Sequence, residues 1–135
     1  MKLSFITFVV VLAGMILLTA CGSGSPEASL SDIHLARDPE GTDATSVFSA
    51  TDTFYVVANI GSAPKGTTVR AVWSGINASG GAEVITEGSR TMEENNFSGP
   101  TFFELVTDDI WPLGEYQVEL FLNDALVETI RFTVE

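Results

Sequence analysis

The chain is poor in cysteine, histidine and basic residues, and each shortage removes a class of function. A single cysteine, Cys21, leaves no intramolecular disulfide, no CxxC redox pair and no cysteine-based zinc site. A single histidine, His34, leaves His-rich metal clusters without ligands. Six Lys and Arg stand against 18 Asp and Glu, a formal charge of −12. That sign argues against nucleic acid as a partner and against electrostatic docking on anionic lipid, because like charges would meet. Only one long apolar run exists, Leu3 to Ala20, and no stretch after residue 30 keeps a helical period. At 135 residues there is room for one ordinary domain.

What is present begins at the N-terminus. Met1-Lys2 is a short positive segment, Leu3 to Leu17 is almost unbroken apolar sequence, and Leu18-Thr19-Ala20-Cys21 follows. This resembles the signal peptide of bacterial lipoproteins, whose lipobox is an aliphatic residue, two small residues and a cysteine. The resemblance implies cleavage between Ala20 and Cys21, a diacylglyceryl group on the Cys21 thiol, and acylation of the new amino group. A run of about 18 residues is also near the lower length for a membrane-spanning helix. An ordinary secretory signal and a buried core helix are the other readings. The lipobox is favoured because the chain's one cysteine falls at that position, directly before Gly22-Ser23-Gly24-Ser25.

Removing residues 1–20 takes away Lys2 and leaves five basic residues against 18 acidic ones, a formal −13. Residues 21–29 then form the lipidated cysteine and a flexible tether, Gly22 to Ser29, with an end-to-end distance of about 15–17 Å. Two or three acyl chains would hold the protein stably on a membrane, where one chain is marginal.

From residue 30 to 135 the apolar pattern has period two, interrupted by turn residues, which predicts an all-β sandwich of about seven strands. Ser31–Ala36 is a first strand with Ile33 and Leu35 inward. Thr53–Ile60 follows with Phe54, Val56, Ala58 and Ile60 on one face, and Gly61 to Gly66 reads as a turn. Thr67–Trp73 places Val69, Ala71 and Trp73 together. Ser74 to Gly81 is a Gly-rich loop, Ala82–Glu87 a weaker strand, and Thr101–Thr107 a strand whose Phe102-Phe103 pair leaves the inward face open. Tyr116, Val118, Leu120 and Leu122 alternate in one strand of a last hairpin, and Ile130, Phe132 and Val134 in its partner. Ala125 at the turn disfavours a two-residue primed turn, so a longer loop is expected. Eleven aromatic residues after Cys21 supply a core without disulfides.

Leu113-Gly114-Glu115-Tyr116-Gln117-Val118 resembles the tyrosine corner of immunoglobulin-like domains, with Val118 where antibody domains carry their second cysteine. Trp73 occupies the place of the buried core tryptophan. The missing cysteines exclude antibody-type domains and leave fibronectin-III-like and bacterial surface versions. The resemblance covers about the last 100 residues and implies a fold, with no activity attached.

Candidate chemistry is thin. Ser62-Ala63-Pro64-Lys65 spells S-x-x-K, but Pro64 and flanking glycines oppose the helix start that this nucleophile needs, and S-D-N and K-T-G are missing. His34 lacks a positioned nucleophile and reads as an exposed strand residue. HExxH, P-loop and dinucleotide fingerprints do not occur. Asp38, Glu40 and Asp43 are weak calcium candidates. Counted as an EF-hand from Asp38, the loop puts Asp43 where glycine belongs and Ser49 where the closing glutamate belongs. Glu93-Glu94-Asn95-Asn96 is a further acidic loop. Asn77-Ala78-Ser79 and Asn96-Phe97-Ser98 are sequons that a bacterial protein would not use. Trp111 beside Pro112 is either an exposed platform or, as favoured, a plug for one end of the sandwich. With Asp108 and Asp109 it marks the loop expected to meet a ligand or partner.

The expected function is therefore non-catalytic: an exported, lipid-anchored module that binds an envelope protein or a glycan through loops or a sheet edge. A structural or accessory subunit of an envelope complex is the alternative, and a calcium-stabilised adhesion domain comes after it. No enzyme activity and no cofactor are expected beyond the lipid on Cys21. Gly22 after the cysteine leans toward the outer membrane in a two-membraned organism; in a one-membraned organism the domain faces outward from the cytoplasmic membrane.

Overall fold

The computed structural model describes residues 27–135, so the signal segment, Ala20, Cys21 and most of the tether lie outside the described residues. Those residues form an immunoglobulin-like all-β sandwich of eight strands, one more than expected. In chain order these are β1 (Ser29–Ala36), β2 (Val47–Phe48), β3 (Phe54–Ala63), β4 (Thr68–Ile76), β5 (Ala82–Thr91), β6 (Phe97–Leu105), β7 (Gly114–Leu122) and β8 (Ala125–Val134). The extra strand is β2, two residues that pair in parallel with the end of β8. One sheet has the order β1-β3-β6 and the other β2-β8-β7-β4-β5. In constant-type immunoglobulin domains the fourth strand completes the first sheet. Here β5 pairs with β4 in the second sheet.

Alternation places the core as expected in the regular strands. Phe54, Val56, Ala58 and Ile60 of β3 are buried, as are Val69, Ala71 and Trp73 of β4. Tyr116, Val118 and Leu120 of β7 meet Phe132 and Val134 of β8 in the same core. In β6, Phe103 packs against the core and Phe102 faces solvent.

Elsewhere β-bulges shift the pattern by one residue. In β1 the register shifts between Ser31 and His34, with Asp32 at φ 50°. This lets Leu30 pack inward together with Ile33, although their spacing is odd. In β3 the shift between Ile60 and Ala63, with Ser62 at φ 50°, buries both ends. Gly61 to Ala63 therefore belongs to the strand, and the expected turn shrinks to Pro64, Lys65 and Gly66, closed by Thr67 N–H donating to the Pro64 carbonyl at 3.1 Å.

The last hairpin corrects another expectation. Leu122 pairs with Ala125, so the turn is the two residues Asn123 and Asp124, at φ 48° and 66°. Both are types that tolerate the left-handed region, and Ala125 stays outside the turn. Asn123 is held further by its Oδ1, which accepts from Thr68 N–H at 3.0 Å.

The tyrosine corner forms. Tyr116 Oη donates to the Pro112 carbonyl at 2.6 Å, and burial pushes the phenol above its ordinary range. Tyr116→Phe should lower stability by about 1 kcal/mol or more, because the Pro112 carbonyl loses its donor. A melting curve identical to wild type would show that the bond contributes nothing.

Candidate functional site

The strand order sorts the loops onto two ends. Ser29 pairs with Gly61 at the finish of β3, so the tether enters at the end that holds the Pro64–Gly66 turn and the Asn123-Asp124 turn. Phe54, at the start of β3, pairs with Leu105 at the opposite end. Ten strand residues at about 3.3 Å each separate the two by about 30 Å. The far end carries the loops after β1, β2, β4 and β6.

Trp111 sits in that far end as a plug, buried and not an exposed platform. Its backbone N–H donates to the Ala50 carbonyl at 2.8 Å and its indole Nε1–H to the Asp52 carbonyl at 3.1 Å. The ring lies 5.0 Å from Phe54 and 6.3 Å from Tyr116. Phe48, Phe54, Tyr116 and Phe132 pack round the same point, with Tyr116 and Phe132 stacked at 5.5 Å.

Over this floor lies an open groove of about 500 Å³. Its walls are Ile76 of β4, Val84 and Ile85 of β5, and Leu113 of the loop before β7. Leu113 is 69% exposed and Val84 61%, and neighbouring Ile110 is 65% exposed. Isolated exposed apolar residues are ordinary on a protein surface; here several gather round one concavity. The chain leaves the groove open at Gly75, where an added Cβ would meet nothing within 4 Å.

Charge round the groove has one sign. Glu83 and Glu115 line it, and no lysine or arginine does. Asp108 and Asp109 are exposed in the same loop as Trp111, Asp109 capping the Ile110 N–H at 2.8 Å. The loop after β1 adds Arg37, but this guanidinium is occupied. It donates to Asp52 at 3.0 Å, to Asp43 at 3.4 Å and to the Val47 carbonyl at 2.9 Å. The Asp52 hydrogen bond leads in raising its pKa.

Asp38, Glu40 and Asp43 do not converge. The Asp38 carboxylate accepts from the N–H groups of Asp43 (2.6 Å) and Thr42 (2.9 Å), which hold it below the usual carboxylate range. Asp43 turns to Arg37, and Glu40 is exposed. Among the described residues no group of three or more His, Cys, Asp or Glu side chains could hold a metal ion.

His34 is more constrained than an exposed strand residue. Its Nδ1 lies 2.8 Å from the Asp32 carbonyl and its Nε2 2.9 Å from the Gly41 carbonyl, which clips the loop after β1 onto the sheet. Ser62 lies in β3 and Lys65 in a turn, so the S-x-x-K run has no helix to align it. The first sequon is a structural device: Asn77 Oδ1 accepts from Ser79 N–H and Oγ–H and from Gly81 N–H, closing the β4–β5 turn.

The terminal strands of the two sheets are blunted, although most of β8 keeps a free outer edge: β2 pairs only with Thr133 and Val134, and Leu126 and Val127 are exposed. A bulge breaks β1, Pro100 in β6 has no N–H to offer, β2 has two residues, and β5 is bulged at Ile85 and carries Glu83, Glu87 and Arg90. These are the devices by which edges avoid pairing. The groove at the far end, built from β4, β5 and the loop before β7, is a candidate surface apart from the free edge of β8. Sequence reading named Trp111, Asp108 and Asp109 but missed Val84, Ile85 and Leu113. The signal was the adjacent apolar pair Val84-Ile85 in an otherwise polar strand, together with three apolar residues in a Pro-containing loop.

No family model matches the chain, and neither does any curated protein. Among solved structures, an immunoglobulin-like protein from Pseudomonas aeruginosa superposes with a TM-score of 0.50 at 11% identity, covering 83% of this chain and 99% of that one. An alkylpurine DNA glycosylase from Pseudomonas fluorescens, bound to DNA containing an abasic site analogue, gives 0.50 at 12% identity over 81% of this chain and 30% of that one. A β-glucosidase from Listeria innocua gives 0.51 at 11% identity over 80% and 16%. The chain thus spans less than a third of both these enzymes. At such identities the likeness is one of fold, and the fold shared is the immunoglobulin-like sandwich.

Proposed function

We propose that this chain is an exported lipoprotein, anchored through Cys21, whose sandwich is a non-catalytic binding module at the cell envelope. The observation that carries this reading is the placement of the groove at the end of the domain opposite the tether. A lipid on Cys21 and a short tether would hold the Ser29 end at the bilayer and present the groove outward, toward an envelope protein or glycan. The acidic surface would keep the domain off anionic lipid. The lipobox Leu18-Thr19-Ala20-Cys21 supports the anchor, and Gly22 supports sorting to the outer membrane in a two-membraned cell or the outer face of a single membrane.

The test is crosslinking in intact cells with wild type, Cys21→Ser and Gly75→Leu. Wild type should be membrane-bound and joined to one dominant partner. Cys21→Ser should leave a precursor or released domain, and Gly75→Leu should stay anchored and lose the partner. Mature membrane-bound Cys21→Ser protein would overturn the anchor. A partner retained by Gly75→Leu and lost on altering Gly22–Ser29 would instead favour a spacer within a larger complex.

A further inference from the structure

The chemistry of the groove goes further than a general binding role, and the following step rests on the binding-module reading above. We propose that the groove takes an extended peptide segment carrying both apolar and basic side chains, belonging to a partner protein. Three features of the groove lead there.

The first is wall chemistry. Ile76, Val84, Ile85 and Leu113 offer branched aliphatic surface, and the Trp111 and Tyr116 rings beneath are already packed edge-on to each other, their planes at 78°. Neither ring lies open as a flat platform for a sugar: both are buried, and the polar end of each is spent on a backbone carbonyl. Aliphatic side chains fit such walls by simple apolar contact.

The second is charge. The acidic members Glu83 and Glu115 stand in the groove with no basic residue beside them, and Asp108 and Asp109 extend the negative field along the loop that forms one wall. Arg37, the basic residue of the loop after β1, is turned to Asp43 and Asp52. A cationic segment gains attraction here, and an acidic one would be repelled. Complementary charge also speeds encounter and makes it dependent on ionic strength.

The third is shape. Gly75 on one side and Gly114 on the other carry no side chain into the space, and a Cβ at either would touch nothing within 4 Å. A trough lined by glycine allows close approach of another backbone, which an extended chain exploits. The groove lies at the end of the sandwich beside the bulged start of β5, so the segment crosses that end and does not extend the sheet.

The experiment is an amide-shift titration of the soluble domain, residues 22–135, first shown by its melting curve to be folded. The probe is a short synthetic peptide alternating leucine and lysine. Controls are the same peptide with glutamate in place of lysine, and a chitin oligosaccharide. The lysine peptide should move the amides of Gly75, Ile85, Leu113 and Gly114 with saturation below about 1 mM, and the glutamate peptide should not. Combining Glu83→Gln with Glu115→Gln should weaken binding by about threefold to tenfold, in line with two exposed charge pairs. Gly75→Leu should abolish the shifts while leaving the melting temperature near wild type, since the added side chain enters open space. Equal responses to the two peptides would overturn the charge argument, and so would shifts that survive Gly75→Leu. Shifts at the groove with the oligosaccharide and none with the lysine peptide would overturn peptide recognition and leave the binding-module reading standing. That reading fails separately, if the cellular crosslink does not depend on the groove.

Discussion

Trp73→Ala should cost about 3–5 kcal/mol of unfolding free energy, because a large buried ring is removed and the site cannot collapse. Trp73 is 1% exposed and lies in β4, which is flanked by β7 on one side and β5 on the other. It stands opposite Val118 in the neighbouring strand and meets Phe132 edge-on at 6.0 Å and 85°. With sheet on both sides, backbone shifts that might close the cavity would break two ladders at once. A domain of this size has a total stability of about 5–15 kcal/mol, so the variant would be near the edge of folding. Urea denaturation followed by far-UV circular dichroism gives the value directly. A loss under about 1 kcal/mol would mean that neighbouring side chains refill the pocket and that Trp73 does not anchor the core.

The second large effect is expected at Gly41, for a reason no contact of the wild-type protein displays. Gly41 has φ +75°, and a Cβ there would lie 2.7 Å from His34 Nε2 and 2.7 Å from Val57 Cγ2. Neither neighbour can yield easily. Val57 is buried beneath the loop, and the His34 ring is positioned by the Asp32 and Gly41 carbonyls. Gly41→Ala should therefore cost about 2–4 kcal/mol, from left-handed strain and overpacking together. Gly66 provides the comparison: it has φ +90°, but a Cβ there meets nothing within 4 Å. Gly66→Ala should cost only the strain, about 1–2 kcal/mol. Equal losses in the two variants would show that the loop after β1 moves aside and that the His34 clip does not hold it.

How much of this was legible depends on whether a feature is local. Phe54, Val56, Ala58 and Ile60 could be assigned to one face because a strand's period is two regardless of its partner. Tyr116 could be assigned to a corner because its acceptor, the Pro112 carbonyl, lies four residues away. The bulges at Asp32, Ser62 and Ile85 were not legible in the same way. Each inserts a residue relative to a partner strand, so it exists only once the partner and its register are set. The Phe102-Phe103 choice was settled by the same pairing, Phe103 opposite the inward Val56. At the last hairpin the residues were right and the assignment was off by one: Asn123 and Asp124 take positive φ and Ala125 begins the strand.

The sequence by itself determined the sandwich class, the core of the regular strands and the corner, since apolar alternation and short-range hydrogen bonds follow from neighbours along the chain. It also determined the acidic balance of the chain, 18 Asp and Glu against six Lys and Arg. Only the tertiary structure decided that Trp111 is a plug, because the carbonyls that bind it belong to Ala50 and Asp52, far away in the chain. It alone decided that Val84, Ile85 and Leu113 share one groove, and that this groove lies at the end opposite Ser29. Those facts depend on which strands pair and in what register, and pairing is set by the whole core at once.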